Sequence, residues 1–215
     1  MANADLNEMP TLRNIIPHDP PRGLRVGLLG GSFNPAHEGH VHISTLALDR
    51  LRLDQVWWLV SPQNPLKATD GMAALADRLD GAHSAAIDER IRVDDIERDL
   101  GTRFTADTLA ALKKRFPGVR FVWIMGADNL IQMPQWKRWK RVFRSVPIAV
   151  FARPSYSLGA VSGLAARKFA KAEMKASSAP RLANARPPAW VYLKTPLNRA
   201  SATRIRAGAA QSQPK

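Results

Sequence analysis

Arg25-Val26-Gly27-Leu28-Leu29-Gly30-Gly31-Ser32-Phe33-Asn34-Pro35-Ala36-His37-Glu38-Gly39-His40 is the stretch that decides the fold of this chain. Val26 to Gly30 is a short apolar run without polar alternation, the pattern of a strand buried on both faces. Paired glycines follow and lead straight into a helical pattern over Val41 to Leu51, with apolar positions at Val41, Ile43, Leu46, Ala47 and Leu51. Glycines let a backbone approach an anion closely, and a helix start offers it unpaired N–H groups and the positive end of a dipole. The stretch is neither G-x-G-x-x-G nor G-x-x-x-x-G-K-[ST]. What it carries instead is two imidazoles three residues apart, His37 and His40, which share one side of a first helical turn.

Downstream, the alternation of strand and helix continues. Val56 to Val60 predicts a second buried strand, so Trp57 and Trp58 are assigned to the core. Helix is expected over Met72 to Ala86, strand over Ile91 to Ile96, and helix over Thr105 to Phe116 with Thr105 and Asp107 as caps. Strand follows over Val119 to Met125, helix over Trp136 to Ser145, and strand over Pro147 to Phe151. Leu158 to Ala176 is expected to be helical, Ser177 to Pro188 a loop, Trp190 to Leu193 a last strand and Ser201 to Ala207 a closing helical turn. Such alternation implies an α/β, Rossmann-like parallel sheet with helices on both faces. Ligands of such sheets sit beyond the carboxyl ends of the strands, so chemistry is expected in the segments that follow them.

The proline-punctuated residues 1–24 are expected to form a flexible extension, residues 25–208 one domain and residues 209–215 a flexible tail. With no cysteine, disulfides and thiolate metal sites are excluded. No apolar run is long enough for a membrane span, and a cytoplasmic protein is expected. The net charge of +14 admits nucleic acid, a polyanionic small molecule or a merely solvated basic surface as its reason. Oligomeric state is not legible.

For the histidine pair three readings compete. Zinc needs three or four ligands, yet only His18, His42 and His83 remain as histidine partners and H-E-x-x-H is absent. Simple helix capping would suit a lone histidine. The glycine turn, the strand and the helix start converge on an anion.

His37-Glu38-Gly39-His40, set within Gly30-Gly31-Ser32-Phe33-Asn34-Pro35, resembles the HxGH signature of the nucleotidylyltransferase superfamily, and more narrowly that of bacterial nicotinate-nucleotide adenylyltransferases. Phe104-Thr105-Ala106-Asp107-Thr108-Leu109 is similar to the family's YTxDTL stretch, with phenylalanine for tyrosine. Gly126-Ala127-Asp128, continuing to Pro134 and Trp136, resembles its GAD…PxW pattern. Ser201-Ala202-Thr203-Arg204-Ile205-Arg206 resembles its SSTxIR motif, Ala202 replacing a serine and removing one hydroxyl. The resemblance spans about Arg25 to Ala207.

It implies adenylyl transfer from ATP to nicotinate mononucleotide, with Mg2+ arriving on the ATP and no metal ligands supplied by the protein. The catalytic residues implied are His37, His40 and Arg206. ATP would also be met by Gly30, Gly31, Ser32, Phe33, Lys67, Gly126, Asp128, Ser201 and Thr203, and the mononucleotide by Asn34, Thr105, Trp136 and Arg153. Within the superfamily, nicotinamide mononucleotide and phosphopantetheine are the competing substrates. A basic nucleic-acid-binding protein is the rival from another class, but the run Arg167 to Lys175 lacks the interleaved aromatics that reading calls for, and no nucleic-acid or membrane partner is expected.

Overall fold

The computed structural model describes residues 16–62, 71–153 and 157–194. Its centre is a seven-stranded sheet, every pairing in it parallel, made of β1 (Arg25–Gly31), β2 (Gln55–Val60), β3 (Ile91–Asp94), β4 (Arg120–Gly126), β5 (Ile148–Phe151), β6 (Glu173–Met174) and β7 (Trp190–Leu193). The strands lie in the order β3-β2-β1-β4-β5-β7-β6. The chain first builds outward from β1 through β2 to β3, then returns to lay β4 on the other side of β1. Between β1 and β4 the winding reverses, which opens a crevice at their carboxyl ends.

Side chains on successive strand residues go to opposite faces, and here both faces are dry. Val26, Leu28, Trp57, Leu59, Phe121, Trp123 and Met125 belong to one core; Leu29, Val56, Trp58, Val60, Val122 and Ile124 belong to the other. This is why the strands read as unbroken apolar runs. The first core is closed by α4 (Thr105–Arg115), α5 (Ala127–Gln132), α6 (Trp139–Ser145), α7 (Ser157–Ser162) and α8 (Leu164–Lys168). The second is closed by α1 (Glu38–Leu51), α2 (Leu75–Ala85) and a 3-10 helix at Ala176–Asn184. The short α3 (Ile96–Asp99) follows β3. No helix among the described residues is long and apolar enough to cross a membrane.

Several expectations need correction. The stretch from Leu158 to Ala176 is not one helix: Gly163 interrupts it between α7 and α8, and β6 follows at Glu173. Ser177 to Pro188 is not simply a loop, because a nine-residue 3-10 helix packs Ala179, Leu182 and Ala183 into the core. In that geometry side chains three apart line up, so Ala179 and Leu182 share the buried side, and a search for the 3.6-residue period overlooks the pattern. The helix expected from Trp136 starts at Trp139, while the unforeseen α5 begins directly after β4. β3 stops at Asp94, short of Ile96. Neither Thr105 nor Asp107 caps α4 with its side chain; Phe104 holds the cap position and Asp107 instead pairs with Arg138.

Within the stretch expected to be a loose extension, Ile16 is 4% exposed and packs in the first core. Its N–H donates to Asp94, at the carboxyl end of β3. Burial, reinforced by Asp95 and Asp99 and opposed by Arg115, pushes the Asp94 carboxyl up to about 6. A carboxyl raised in the folded state contributes stability in full below its unfolded value, near pH ~4, and that contribution is lost as the pH rises through about 6. Asp94→Asn should therefore melt higher than the parent at pH 8, by about 1 kcal/mol once the shift is discounted for partial exposure. The gap should narrow as the pH falls through about 6 and close near pH ~4. Thermal unfolding at about pH 3.5 and 8 (the two sides of the transition) checks this, and equal gaps at both would refute it.

Candidate active site

The loop after β1 and the first turn of α1 place the two imidazoles. His37 is the N-cap of α1, in extended backbone geometry, and its Nδ1 accepts from the Gly39 N–H at 3.0 Å. The His37 N–H in turn donates to His40 Nδ1 at 3.2 Å, which completes a reciprocal capping box. The rings stack at 3.9 Å between centroids. Both Nδ1 atoms act as acceptors, so the proton of each neutral imidazole sits on Nε2. The expectation that the pair merely caps a helix and the expectation that it meets an anion are thus not exclusive, because capping engages Nδ1 of each ring.

Beneath His40 lies Phe33, 1% exposed, its ring 4.6 Å from the imidazole and stacked on Trp58 at 5.0 Å. Phe33 adopts φ 46, a left-handed backbone that a bulky side chain rarely accepts. Such a conformation costs on the order of 1 kcal/mol and persists because the packing holds it. Trp58 is further tied to α1, its indole N–H donating to Ser44 Oγ at 2.8 Å, and Ser44 Oγ donating to the His40 carbonyl. The imidazole therefore rests on an aromatic floor anchored in β2.

Gly30 and Gly31 close β1, with Ser32 half-buried beside them. Gly30 has a steric reason that its sequence context does not reveal. A Cβ there would come within 2.6 Å of the Trp123 ring. Trp123 meets Trp136 edge-on at 6.4 Å, which leaves Trp136 half-buried on the connection before α6. Asn34 braces a neighbouring loop, its amide donating to the Gly71 carbonyl at 3.0 Å and its carbonyl accepting from the Ala73 N–H at 3.3 Å. Thr105 begins α4, where the Asp107 and Thr108 amides donate to the Phe104 carbonyl and the Thr105 and Ala106 amides have no acceptor within the helix.

Across the switch point, Gly126 ends β4 and Asp128 lies in the first turn of α5 without capping it. Arg153, just past β5, holds Asp128 Oδ1 at 3.3 Å. A side chain at residue 126 would collide with both partners, at 2.5 Å from the carboxylate and 2.6 Å from the guanidinium. Burial lowers the His37 pKa, and the positive Arg153 lowers it further. Residues contributed by β1, β4 and β5 thus meet electrostatically at the crevice. Lys67, Ser201, Thr203 and Arg206 lie outside the described residues.

Two groups were missed in the sequence. Arg78, in the first turn of α2 and 3% exposed, donates to four backbone carbonyls: Ser32 at 2.7 Å, Ser61 at 2.8 Å, Pro62 at 3.0 Å and Ala73 at 3.1 Å. Burial lowers its pKa, and each charged hydrogen bond offsets that cost by about 1.5–3 kcal/mol. Glu97, 8% exposed, accepts from Thr108 Oγ at 2.9 Å and from the Ser61 hydroxyl; burial raises its pKa and these two bonds oppose the rise. The available signal was a charge on the apolar side of a helix, since Arg78 shares a face with Ala82. Its partners are carbonyls, which no residue pattern displays.

Because the Arg153 cation depresses His37, Arg153→Gln should raise the His37 pKa towards the ordinary imidazole value of ~6.5. An NMR titration of the His37 ring protons in both proteins reads this directly; a value unchanged or lowered would show that the two groups are not coupled.

The cytidylyltransferase-like family model matches residues 28–208. A probable nicotinate-nucleotide adenylyltransferase of Parvibaculum lavamentivorans is 55% identical over 86% of this chain and 92% of its own length. One from Caulobacter sp. strain K31 is 52% identical over 85% and 97%, and one from Cereibacter sphaeroides 56% identical over 85% and 96%. In fold, the chain is similar to Plasmodium falciparum nicotinic acid mononucleotide adenylyltransferase, at TM-scores of 0.63 for its complex with APC and 0.65 for its complex with NaAD. These matches cover 86% of this chain and 83% of that one, at 14% and 15% identity. On the extent of these matches, the chain belongs to the nicotinate-nucleotide adenylyltransferase family within the cytidylyltransferase-like fold.

Proposed function

We propose that this protein transfers the adenylyl group of ATP to nicotinate mononucleotide, giving nicotinate adenine dinucleotide and pyrophosphate on the route to NAD. The observation that carries this reading is the paired Nε2–H donors of His37 and His40, locked by their Nδ1 bonds beside the β1–β4 switch point. The relatives named for this activity support it.

In the transfer, a phosphate oxygen of the mononucleotide forms a bond to the α-phosphorus of ATP. The bond from that phosphorus to the α,β-bridging oxygen breaks, and its electron pair leaves with pyrophosphate. The protein supplies alignment and charge stabilisation rather than a nucleophile. His37 and His40 donate to phosphate oxygens as negative charge moves onto the leaving group, and their neutral state suits donation without a net charge to desolvate. Gly30, Gly31, Ser32, Phe33 and Gly126 shape the ATP side, where Asp128 meets the ribose. Asn34, Thr105, Trp136 and Arg153 serve the mononucleotide: Thr105 and the α4 amides for the pyridine carboxylate, Trp136 for stacking on the ring, Arg153 for the phosphate. The roles expected of Lys67, Ser201, Thr203 and Arg206 at the β- and γ-phosphates belong to the same proposal.

Magnesium enters as part of the triphosphate substrate. On this reading phosphate oxygens and water would hold it, with no cage supplied by the protein.

Purified protein given ATP, Mg2+ and nicotinate mononucleotide should release pyrophosphate, and faster than with nicotinamide mononucleotide or phosphopantetheine; no release with any of the three refutes the reading. His40→Ala should lower kcat by about 10²-fold or more, and turnover within threefold of the parent would remove His40 from the mechanism. Trp136→Ala should act mainly on the KM for the mononucleotide, and an unchanged KM would place the stacking surface elsewhere.

A further inference from the structure

We infer that Arg78, Ser61 and Glu97 form one buried polar brace that sets the spacing between the two substrate half-sites, and that they are positioning residues for the transfer step. This rests on the adenylyl-transfer reading above.

The connections form a continuous line. Arg78 joins the Ser32 carbonyl, in the histidine loop, to the Ser61 carbonyl at the end of β2. The Ser61 hydroxyl continues to Glu97 in α3. Glu97 accepts from Thr108 Oγ in α4, and Thr102 donates in turn to that oxygen at 3.0 Å. One end of the line is thus the loop carrying Phe33 and leading to His37 and His40. The other is the first turn of α4, where Thr105 is assigned to the mononucleotide. Ser61 is the joint, with its carbonyl committed to a cation and its hydroxyl to a carboxylate.

Three features mark the line as more than core filling. It runs along the carboxyl edge of the sheet, where every segment it joins follows β1, β2 or β3. Its charges are buried although apolar side chains would pack there at no desolvation cost, which suits a device that fixes geometry. Ser61, Glu97 and Thr102 also line a cavity of about 200 Å³ together with Pro62 and Arg103, so this part of the line faces open space rather than packed core. Asn34 adds a parallel tie from the histidine loop to Gly71 and Ala73, and Ala73 is also held by Arg78.

In-line transfer is sensitive to relative placement, and a misplacement of about 1 Å costs on the order of 10²-fold in rate. On this reading the ATP meets the Ser32–Phe33 end of the line and the pyridine carboxylate the Thr105 end, and alignment requires the two ends at the right separation. Loosening the joint should therefore lower kcat and leave each KM nearly unchanged.

Ser61→Ala and Ser61→Thr, with Glu97→Gln alone and combined with Ser61→Ala, test this on the full-length protein with ATP and nicotinate mononucleotide. Ser61→Ala should lower kcat about tenfold or more, with both KM values within threefold of the parent. Ser61→Thr, which keeps the hydroxyl, should restore kcat to within threefold. The double variant should be no slower than the slower single one, because both cut the same line. The brace is overturned by a Ser61→Ala kcat within threefold of the parent, by a loss confined to one KM, by a threonine variant as slow as the alanine one, or by multiplied losses in the double variant. A parent that releases no pyrophosphate overturns the adenylyl-transfer reading and the brace with it, whereas an active parent beside an unaffected Ser61→Ala overturns the brace alone.

Discussion

The reciprocal bonds at the start of α1 are the constraint on which the site depends. A histidine N-cap whose Nδ1 holds the Gly39 amide, facing a second histidine whose Nδ1 holds the His37 amide, leaves each ring one orientation and one tautomer. Ordinarily an imidazole in solution divides its proton between two nitrogens and turns freely about its side chain. Here helix formation itself removes those freedoms, so the same bonds that stabilise α1 prepare two directed N–H donors. Phe33 and Trp58 complete the fixation from below, at the expense of a left-handed backbone at Phe33.

Around this pair the charges are arranged in two buried or half-buried sets. On the β4–β5 side, Arg153 contacts Asp128 and adds to the burial that depresses His37, so a cation stands close to the imidazole pair. On the β2–β3 side, Arg78 and Glu97 are separated by Ser61 rather than paired directly. Their bonds go to backbone carbonyls and hydroxyls, groups whose positions are dictated by the strands they terminate. The sheet thus holds the loops, and the two polar sets hold the loops to one another.

Most of the α/β order was legible because both faces of the sheet are buried, which turns each strand into an apolar run bounded by glycine, proline or serine. β1, β2, β5 and β7 appear within a residue or so of where composition places them. The errors fall where that signal weakens. Residues 158–176 contain enough alanine to read as one helix, but Gly163 parts α7 from α8, and pairing with β7 draws Glu173 and Met174 into β6. The 3-10 helix at Ala176–Asn184 carries Pro180 in its middle, which on propensity alone argues against any helix.

The sequence by itself determined the strand–turn–helix unit, the histidine spacing and the family pattern, because these are local: a three-residue interval on a helix puts two rings on one side wherever that helix goes. Only the tertiary structure decided which distant segments meet. That Gly30 must lack a side chain for the sake of Trp123, that Gly126 must do so for Asp128 and Arg153, and that Arg78 ties Ser32 to Ser61 all follow from the return of β4 alongside β1 and from α2 packing over the strand ends. Those contacts join residues far apart in the chain through steric fit and backbone carbonyls, and neither leaves a signature in the order of side chains.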